Sequence, residues 1–431
     1  MSIITLNTRS LPDSAVTTAK IAADAITDAK IADDVIGTEH LTAGEVDATA
    51  LATNAVTTAK IADSAVTAVK TSGVTSDMFR NILINGDMSL AQRGTSITGI
   101  STNTYTLDRW ITEGDDATIT VSRDTSVPTG SDAQGFRTSL KVAVTSAISS
   151  VSAADEQKIG QRIEGQMLQT LKYGTSAAES ATLSFWVRSN ITGTYAIQFQ
   201  DDDNDKVQTK TYTISSADTW EKKTVTIAAN TSNTLDNDSS RSFRVLWWLT
   251  AGSNFTGDSS SSGAWTARSS NLDTIAYGHN VNVMSSTSNT FYMTGCQFEV
   301  GATASDFEFL PKDVNTTRCQ RYFQKSYALD TTPGTATDNG VRWTGGSSEN
   351  GSNISFLPNF MTTMRSSPTV TGYARDGTSG EGYYARNGAS GNGTFNAHMY
   401  SQNSVSVYVG IGATWTLGTV AAHTTFSSEF F

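Results

Sequence analysis

Cysteine, proline, histidine and charged residues are all scarce in this chain of 431 residues, and each scarcity narrows what the protein can be. Its 2 cysteines, Cys296 and Cys319, are too few for a disulfide scaffold and lack the Cys-x-x-Cys spacing of a zinc or redox site, so we expect two buried free thiols. The formal charge of −11 argues against binding to phosphate backbones, which requires clustered lysine and arginine. Nucleic acid is therefore not an expected partner.

The sequence also lacks a long apolar run and a catalytic motif. Its most apolar stretch, Phe243 to Leu249, is short and contains Arg244, and no basic segment followed by an apolar core opens the chain, so we expect neither a membrane span nor a signal peptide. The 4 histidines are far apart, and no His-Glu-x-x-His, Gly-x-Ser-x-Gly or phosphate-loop motif occurs. We therefore expect no enzymatic activity and assign no catalytic residue.

What the chain does have is a ten-residue repeat near its N-terminus. Written in tens from Asp13, it begins DSAVTTAKIA, ADAITDAKIA and continues to residue 72. The fourth position of every copy is Val or Ile, and the ninth is Ile or Leu in all but the last copy. These apolar positions are Val16, Ile21, Ile26, Ile31, Ile36, Leu41, Val46, Leu51, Val56, Ile61 and Val66.

An apolar residue at every fifth position fits neither regular element. Five residues carry an α-helix past any single stripe, and an odd step along a strand moves the side chain to the other face. A coiled coil, which needs a period of about 3.5 residues, is disfavoured. Because so few apolar side chains cannot offset the ordering entropy of one thin ribbon, we expect identical chains to cover each other's apolar positions in a stalk. A disordered low-complexity spacer is the alternative.

Beyond residue 80 the composition changes, because aromatic residues appear after a stretch in which Phe79 is the only one. Strand-like runs then recur between turn signals, which predicts an antiparallel β-sandwich. The predicted strands are Ile82 to Ile84, Thr118 to Ser122, Ser139 to Val144, Thr182 to Arg188, Tyr195 to Gln200, Thr209 to Ile214, Glu221 to Ile227, Ser242 to Leu249, Phe291 to Val300, Val405 to Val409 and Thr414 to Leu417. Residues 155–172 fit a helix or a strand and stay unassigned.

Six motifs follow one another through residues 81–325. They are NILINGDMSLAQRG (81–94), YTLDRW (105–110), LSFWVRS (183–189), WEKKTVTI (220–227), CQFEVGATASDFEF (296–309) and RCQRYFQK (318–325). In this order they resemble a domain common in the fibre and tail proteins of tailed bacteriophages, and the decad repeat resembles the N-terminal stalks of similar phage proteins. NISFLPNF (353–360) and MRSSPTVT (364–371) resemble a C-terminal β-domain found behind that domain.

The motif residues themselves have the chemistry of packing. We expect Asp108 to pair with Arg109 across a turn. Trp110, Phe185 and Trp186 suit packing within the sandwich, with the neighbours 185 and 186 on opposite faces of their strand.

The resemblance implies an all-β, homotrimeric virion fibre in which a repeat-built stalk precedes a jelly-roll-like β-sandwich, similar to carbohydrate-binding modules, and a smaller C-terminal β-sandwich. We assign residues 1–12 to virion attachment, 13–79 to the stalk, 80–312 to the jelly roll and 313–431 to a receptor-facing domain. The implied partners are the phage tail, or an adaptor or portal-proximal protein, and a host surface glycan or outer-membrane receptor. A capsid-attached fibre or decoration protein and a polysaccharide depolymerase tailspike are the alternatives.

One candidate site is acidic. Asp201, Asp203 and Asp205 alternate in QDDDNDK, as oxygen ligands of calcium do, although the segment lacks the later glycine and glutamate of an EF-hand loop. A solvated hairpin tip is the alternative. Calcium is the one cofactor that the sequence suggests.

The other candidates are aromatic residues for glycan binding. Trp247 and Trp248 are neighbours in a predicted strand, so we expect one in the core and the other, taken as Trp248, to stack on a sugar together with Trp265 and Tyr277 from Gly- and Ser-rich loops. In the C-terminal region, GEGYYARNG (380–388) is typical of an adaptable loop, which makes Tyr383 and Tyr384 further candidates. Burial in a core or interface, and an ordinary surface loop, are the respective alternatives.

Overall fold

The structure is a computed structural model that describes Thr17 and residues 79–114, 117–258, 261–268, 274–348, 353–386, 388–398, 400–410 and 415–430. The chain separates into two compact units, Met1–Ser72 and Gly73–Phe431. Apart from Thr17, the decad repeat with its apolar positions from Val16 to Val66 lies outside the described residues, and so does the expected attachment segment. The predicted domain boundaries stay predictions.

Nearly all regular structure within the described residues is β-strand. The strands are β1 (Ser96–Ile100), β2 (Thr104–Tyr105), β3 (Ile111–Glu113), β4 (Thr118–Asp124), β5 (Ser139–Ser146), β6 (Glu156–Glu164), β7 (Ala181–Ser189), β8 (Gly193–Asp201), β9 (Lys206–Ile214), β10 (Glu221–Ile227), β11 (Arg241–Ala251), β12 (Thr266–Ala267), β13 (Thr290–Val300), β14 (Phe323–Lys325), β15 (Arg342–Ser348), β16 (Asn353–Phe356), β17 (Thr369–Tyr373), β18 (Glu381–Arg386), β19 (Ala389–His398), β20 (Ser406–Gly410) and β21 (Trp415–Ser427).

Helical structure is confined to short pieces in this part of the chain. It comprises the α-helix α1 (Lys312–Gln320) and 3-10 turns at Ser131–Ala133, Gly165–Met167, Gln169–Leu171 and Val283–Ser285. Among the described residues, no helix has the length and apolarity needed to cross a membrane. The all-β prediction is confirmed.

Two antiparallel sheets form the first sandwich. One has six strands in the order β1, β4, β5, β13, β7, β10, and the other has seven in the order β12, β9, β8, β11, β6, β3, β2. Alternate side chains of each strand point between the sheets, where Phe185 of β7 meets Trp247 of β11 edge to face at a centroid distance of 5.5 Å. Phe243 and Phe298 stack across the same core at 5.9 Å.

Most strand predictions are confirmed, because the period-two alternation of apolar residues places one face of each strand in the core between the two sheets. The segment 155–172 forms strand β6 followed by two 3-10 turns, and Ile159 and Ile163 of β6 lie in the core. Gly160 is required there, since a Cβ would lie 1.9 Å from the backbone oxygen of Val245 in the neighbouring strand.

The predicted strand Ile82 to Ile84 is wrong. These residues form a buried bend. The amide of Ile82 donates to the carbonyl of Phe298 in β13 at 2.9 Å, but the next two amides bond to side chains and do not continue the ladder. The amide of Leu83 donates to Asn81 Oδ1 at 3.0 Å, and that of Ile84 donates to Gln161 Oε1 at 3.1 Å.

The first motif has a structural role, as its chemistry predicts. Asn81 Nδ2 donates to the carbonyl of Cys296 at 2.9 Å, and Asn85 Nδ2 donates to the carbonyls of Leu90 and Asp108 at 2.9 and 3.1 Å. These bonds satisfy buried carbonyls in two loops and at the irregularity of β13 between Thr294 and Gln297. The two thiols are free and buried as predicted, and burial raises their pKa.

A third sheet occupies the C-terminal part. Its strands run in the order β14, β21, β18, β19, β20, β16, with β15 and β17 also paired to β21. The long strand β21 joins two groups, because its first half pairs with β15 and β18 and its second half with β14 and β17. The loop predicted at 380–388 is wrong, since most of it lies in the hairpin of β18 and β19.

A buried ion pair ties the C-terminal residues to the first sandwich. Arg109 donates to the carboxylate of Glu429 and to the carbonyl of Arg162, and Arg93 contacts the same carboxylate at 3.2 Å. Arg109 and Glu429 are both buried, and Arg109 is held in a left-handed conformation with φ 71°. The expected pairing of Asp108 with Arg109 is therefore wrong, because the Asp108 carboxylate accepts hydrogen bonds from Gln92 instead.

Replacing Glu429 with Gln leaves the buried guanidinium of Arg109 without its counter-charge. We expect the free energy of unfolding to fall by about 3–5 kcal/mol, because the cost of an unpaired buried charge exceeds the worth of the pair itself. Urea denaturation measures this loss, and the exposed pair Lys172 and Glu179 is the control: Glu179→Gln changes stability by less than about 1 kcal/mol. Equal effects of the two substitutions contradict the assignment.

His279 predicts a pH dependence of stability. Its buried Nδ1 accepts the amide of Ala196 at 3.2 Å, and burial lowers the pKa of the imidazole to about 4. An unfolded histidine titrates near about 6.5, so from that pH downward only the unfolded state gains the proton. This contribution to stability is therefore complete above about pH 6.5 and is lost as the pH falls toward 4.

We expect His279→Gln to remove that loss. The free energy of unfolding falls between pH 7.5 and pH 4.5, and we expect this fall to be smaller in the variant than in the parent by about 1–3 kcal/mol. A parent and a variant with the same difference between the two pH values contradict the buried neutral imidazole.

Candidate functional site

The outer face of the six-stranded sheet carries an open groove. Because Leu183, Phe185 and Val187 of β7 point into the core, the intervening Ser184 and Trp186 point outward. The prediction that residues 185 and 186 face opposite ways is confirmed. Trp186 does not pack in the core, however, since it forms a wall of this groove.

The segment that follows β13 forms the opposite wall. The Glu299 carboxylate accepts hydrogen bonds from the amide and the hydroxyl of Ser305 at 2.8 and 2.6 Å. The side-chain oxygen of Gln297 accepts one from the amide of Glu308 at 2.8 Å. The Glu308 carboxylate in turn accepts the amide of Asn81 at 3.0 Å. Two side chains of the sheet surface therefore hold this segment in place and fix the side chains that it presents.

Three phenylalanines form the apolar part of the groove. Phe136 lies 5.1 Å from Phe307 and 5.0 Å from Phe309 between ring centroids, and the last two are 4.8 Å apart. Gly295, at φ 61°, lets Phe136 approach the sheet, because a Cβ there would lie 2.6 Å from its ring. Phe136 is buried, whereas 47% of Phe309 is exposed. The rings thus form a fixed apolar surface that faces solvent.

Polar side chains surround these rings. The groove has a volume of about 530 Å³, and its polar lining residues are Ser131, Asp132, Gln134, Ser184, Lys222, Ser305 and Asp306. They supply hydroxyl, carboxylate, amide and ammonium groups around an aromatic surface, which suits a ligand with one apolar face and a hydroxylated edge. We call this site the aromatic groove.

The prediction that Trp248 is a solvent-facing residue is wrong. Trp247 faces the core, and Trp248 lies on the outer face of the seven-stranded sheet, yet both are completely buried. Residues that follow β11 cover Trp248: Phe255 lies 5.3 Å from its ring, and Ile275 and Ala276 belong to the same apolar cluster.

Trp265 and Tyr277 do not form a common site with Trp248. Trp265 packs on the core against Tyr173 and Phe243, at centroid distances of 6.0 and 5.9 Å, and its indole donates to the carbonyl of Ala228 at 2.9 Å. Tyr277 is half-buried and borders a smaller depression of about 230 Å³ beside β9 and β10. The three candidates are therefore dispersed.

Tyr383 and Tyr384 lie on opposite faces of β18. Tyr384 packs against the core of the C-terminal sheet and is half-buried. Tyr383 faces outward, with Trp343 at a centroid distance of 5.9 Å.

The three aspartates have separate partners. Asp201 is buried and accepts both the amide and the side-chain nitrogen of Asn204 at 3.0 Å, and burial raises its pKa to about 6. Asp203 accepts the amide of Asp236 at 2.9 Å, and Asp205 pairs with Arg268 at 3.2 Å. In the part of the chain that the structure describes, no group of three or more His, Cys, Asp or Glu residues is arranged to hold a metal ion. The hairpin does not bring the three carboxylates together.

Sequence reasoning missed the aromatic groove, although two signals were present. The alternation in LSFWVRS places Trp186 outside once Phe185 is in the core, and Phe307 and Phe309 are two residues apart in FEF, as same-face residues of an extended segment are. That Phe136 and the segment after β13 meet on one face depends on the sheet order, which brings β5, β13 and β7 side by side.

No family model and no curated protein matches the chain. Among solved structures, it is similar to the enzymatically active domain of tailspike protein 4 of bacteriophage CBA120, at 11% identity and a TM-score of 0.27 over 52% of this chain and 22% of that chain. It is similar to the carbohydrate-binding module TmCBM61 in complex with β-1,4-galactotriose, at 11% identity and a TM-score of 0.25 over 52% of this chain and 99% of that one. A family 11 carbohydrate-binding module from a cellulosomal cellulase of Clostridium thermocellum gives 11% identity and a TM-score of 0.23 over 49% and 98%. The chain thus spans less than a quarter of the tailspike chain.

Proposed function

We propose that the protein is a non-catalytic component of a bacteriophage tail fibre, and that its β-sandwich binds glycans on the host cell surface. The aromatic groove is the observation that carries the binding role. The order of the six motifs and the decad repeat supports the role in the virion. In this proposal the chain forms a homotrimer attached to the phage tail through its N-terminus.

The groove suits a sugar chain for a physical reason. A pyranose ring has an apolar face of C–H groups, which packs on aromatic rings, and a rim of hydroxyl groups, which need hydrogen-bonding partners when water is removed. Trp186 and Phe309 supply the first surface, and Asp132, Lys222 and Asp306 supply the second. Because the groove is open, a unit within a longer polysaccharide fits it as well as a chain end does.

Binding at one such groove is expected to be weak, because an exposed site excludes little water. Three copies in one fibre raise the effective concentration of the remaining sites once the first has bound, so the assembled fibre binds more tightly than a single groove. Reversible contacts of this kind also suit a fibre that samples a cell surface before commitment.

Trp186→Ala tests the groove. We expect at least tenfold weaker binding of the intact protein to an array of purified bacterial surface polysaccharides, equivalent to about 1.4 kcal/mol, because the stacking surface is lost. Trp186→Phe keeps an aromatic face and retains most of the affinity. The control is Trp220→Ala, which removes a tryptophan that directly precedes β10, contacts Tyr292 and lies outside the groove.

Two results decide against the proposal. Unchanged binding in both Trp186→Ala and Phe309→Ala overturns the groove assignment, and the absence of binding to any polysaccharide on the array overturns the glycan function. Shortening of the polysaccharide during incubation, followed by size-exclusion chromatography, identifies a depolymerase instead. Antibody labelling of virions in electron micrographs distinguishes a tail fibre from a capsid fibre.

A further inference from the structure

The C-terminal sheet carries a second aromatic surface that shares no residue with the aromatic groove. Trp343 of β15 and Tyr383 of β18 pair with the same residue, Ala421 of β21, from its two sides. The three side chains therefore lie in one row on one face of the sheet. Because alanine is small, the two rings lean toward each other above it, edge to face, with centroids 5.9 Å apart, and Ala421 is completely buried.

Arg375 holds this row in position. Its guanidinium carbon lies 5.1 Å from the centroid of Trp343 and 4.8 Å from that of Tyr383, within the range of cation–π attraction. The carboxylate of Asp338 accepts hydrogen bonds from both Nε and Nη2 of Arg375, and this bidentate arrangement fixes the plane of the guanidinium. The rings are thus ordered before any ligand arrives, which lowers the entropy that binding costs.

Trp343 stays half exposed in spite of these contacts, with 50% of its surface open to solvent. An ordered tryptophan with a free face is the residue type that dominates binding energies in recognition surfaces. No role in the core explains it, because Trp343 is outside the apolar cluster of the C-terminal sheet.

The charges around Trp343 restrict the class of ligand. The charge of Arg375 is balanced by Asp338, and the Asp376 carboxylate accepts the side-chain nitrogen of Asn392 at 2.8 Å. An anionic ligand gains little from such a surface, because Asp338 already pairs with Arg375 and Asp376 keeps its negative charge. A neutral ligand gains an indole face together with hydrogen-bonding edges of a carboxylate and a guanidinium.

We propose that Trp343, Tyr383, Arg375 and Asp338 form a second binding site, for a neutral sugar ring. The ring stacks on the free face of Trp343, and its hydroxyl groups exchange hydrogen bonds with Asp338 and Arg375. This site goes beyond the proposed function of the aromatic groove and does not depend on it. Two sites on one chain enable a single copy to hold one polysaccharide at two points.

Fluorine NMR of the intact protein labelled with 5-fluorotryptophan tests the site directly. The chain has 8 tryptophans, and the variants Trp343→Phe and Trp186→Phe assign the two resonances that matter. The probes are neutral maltoheptaose and β-1,4-galactotriose, with an alginate oligomer as the anionic comparison. We expect a neutral probe to shift the Trp343 resonance in a saturable manner and alginate to leave it unchanged.

Binding in a Trp186→Ala background separates this site from the groove. There we expect Trp343→Ala to weaken the remaining affinity for the neutral probe at least fivefold, whereas Tyr400→Ala, which removes another half-exposed ring of the C-terminal part, leaves it unchanged. A Trp343 resonance that no neutral probe shifts, or that only alginate shifts, overturns the proposal. A shift at Trp343 without one at Trp186 supports this site and counts against the aromatic groove, so the two failures are distinct.

Discussion

The buried ion pair of Arg109 and Glu429 is the contact on which the arrangement of the C-terminal sheet depends. Neither charge is exposed, so each needs the other to offset its loss of hydration. Their partners extend the contact: Arg162 donates to the carbonyl of Phe430 at 2.6 Å, and Tyr105 donates to the same carbonyl at 2.9 Å. Glu429 and Phe430 are thereby held against the first sandwich, and the strand that they follow, β21, is the strand to which β15 and β18 pair.

This dependence connects the two proposed sites. The row of Trp343, Ala421 and Tyr383 exists because β21 lies between β15 and β18, and the end of β21 is anchored to the turn that contains Arg109. The aromatic groove depends on the same sandwich. Glu308 lies between Phe307 and Phe309 of the groove, and its carboxylate accepts a hydrogen bond from the backbone amide of Asn81 in the first motif. In each surface a strand supplies one tryptophan, Trp186 of β7 or Trp343 of β15, and hydrogen bonds hold the neighbouring loop residues beside it.

The first two sequence motifs, residues 81–94 and 105–110, have structural roles. Asn81, Asn85, Gln92 and Asp108 hydrogen-bond the buried loops between strands, and Arg109 reaches the C-terminal residues. None of these residues lines the aromatic groove or the row at Trp343. A resemblance carried by these two motifs indicates a shared scaffold. The aromatic groove draws Trp186, Lys222, Phe307 and Phe309 from three of the later motifs.

The sequence by itself determined the all-β class, most strand positions and the opposite orientations of Phe185 and Trp186, because alternation of apolar residues is a local property with a period of two. It also determined that the two cysteines are free thiols. Only the tertiary structure decided that Trp248 is covered by the residues after β11, that Tyr384 packs inward, and that Phe136 meets Phe307 and Phe309. These outcomes depend on sheet order and on contacts between residues far apart in the chain, which no local pattern encodes.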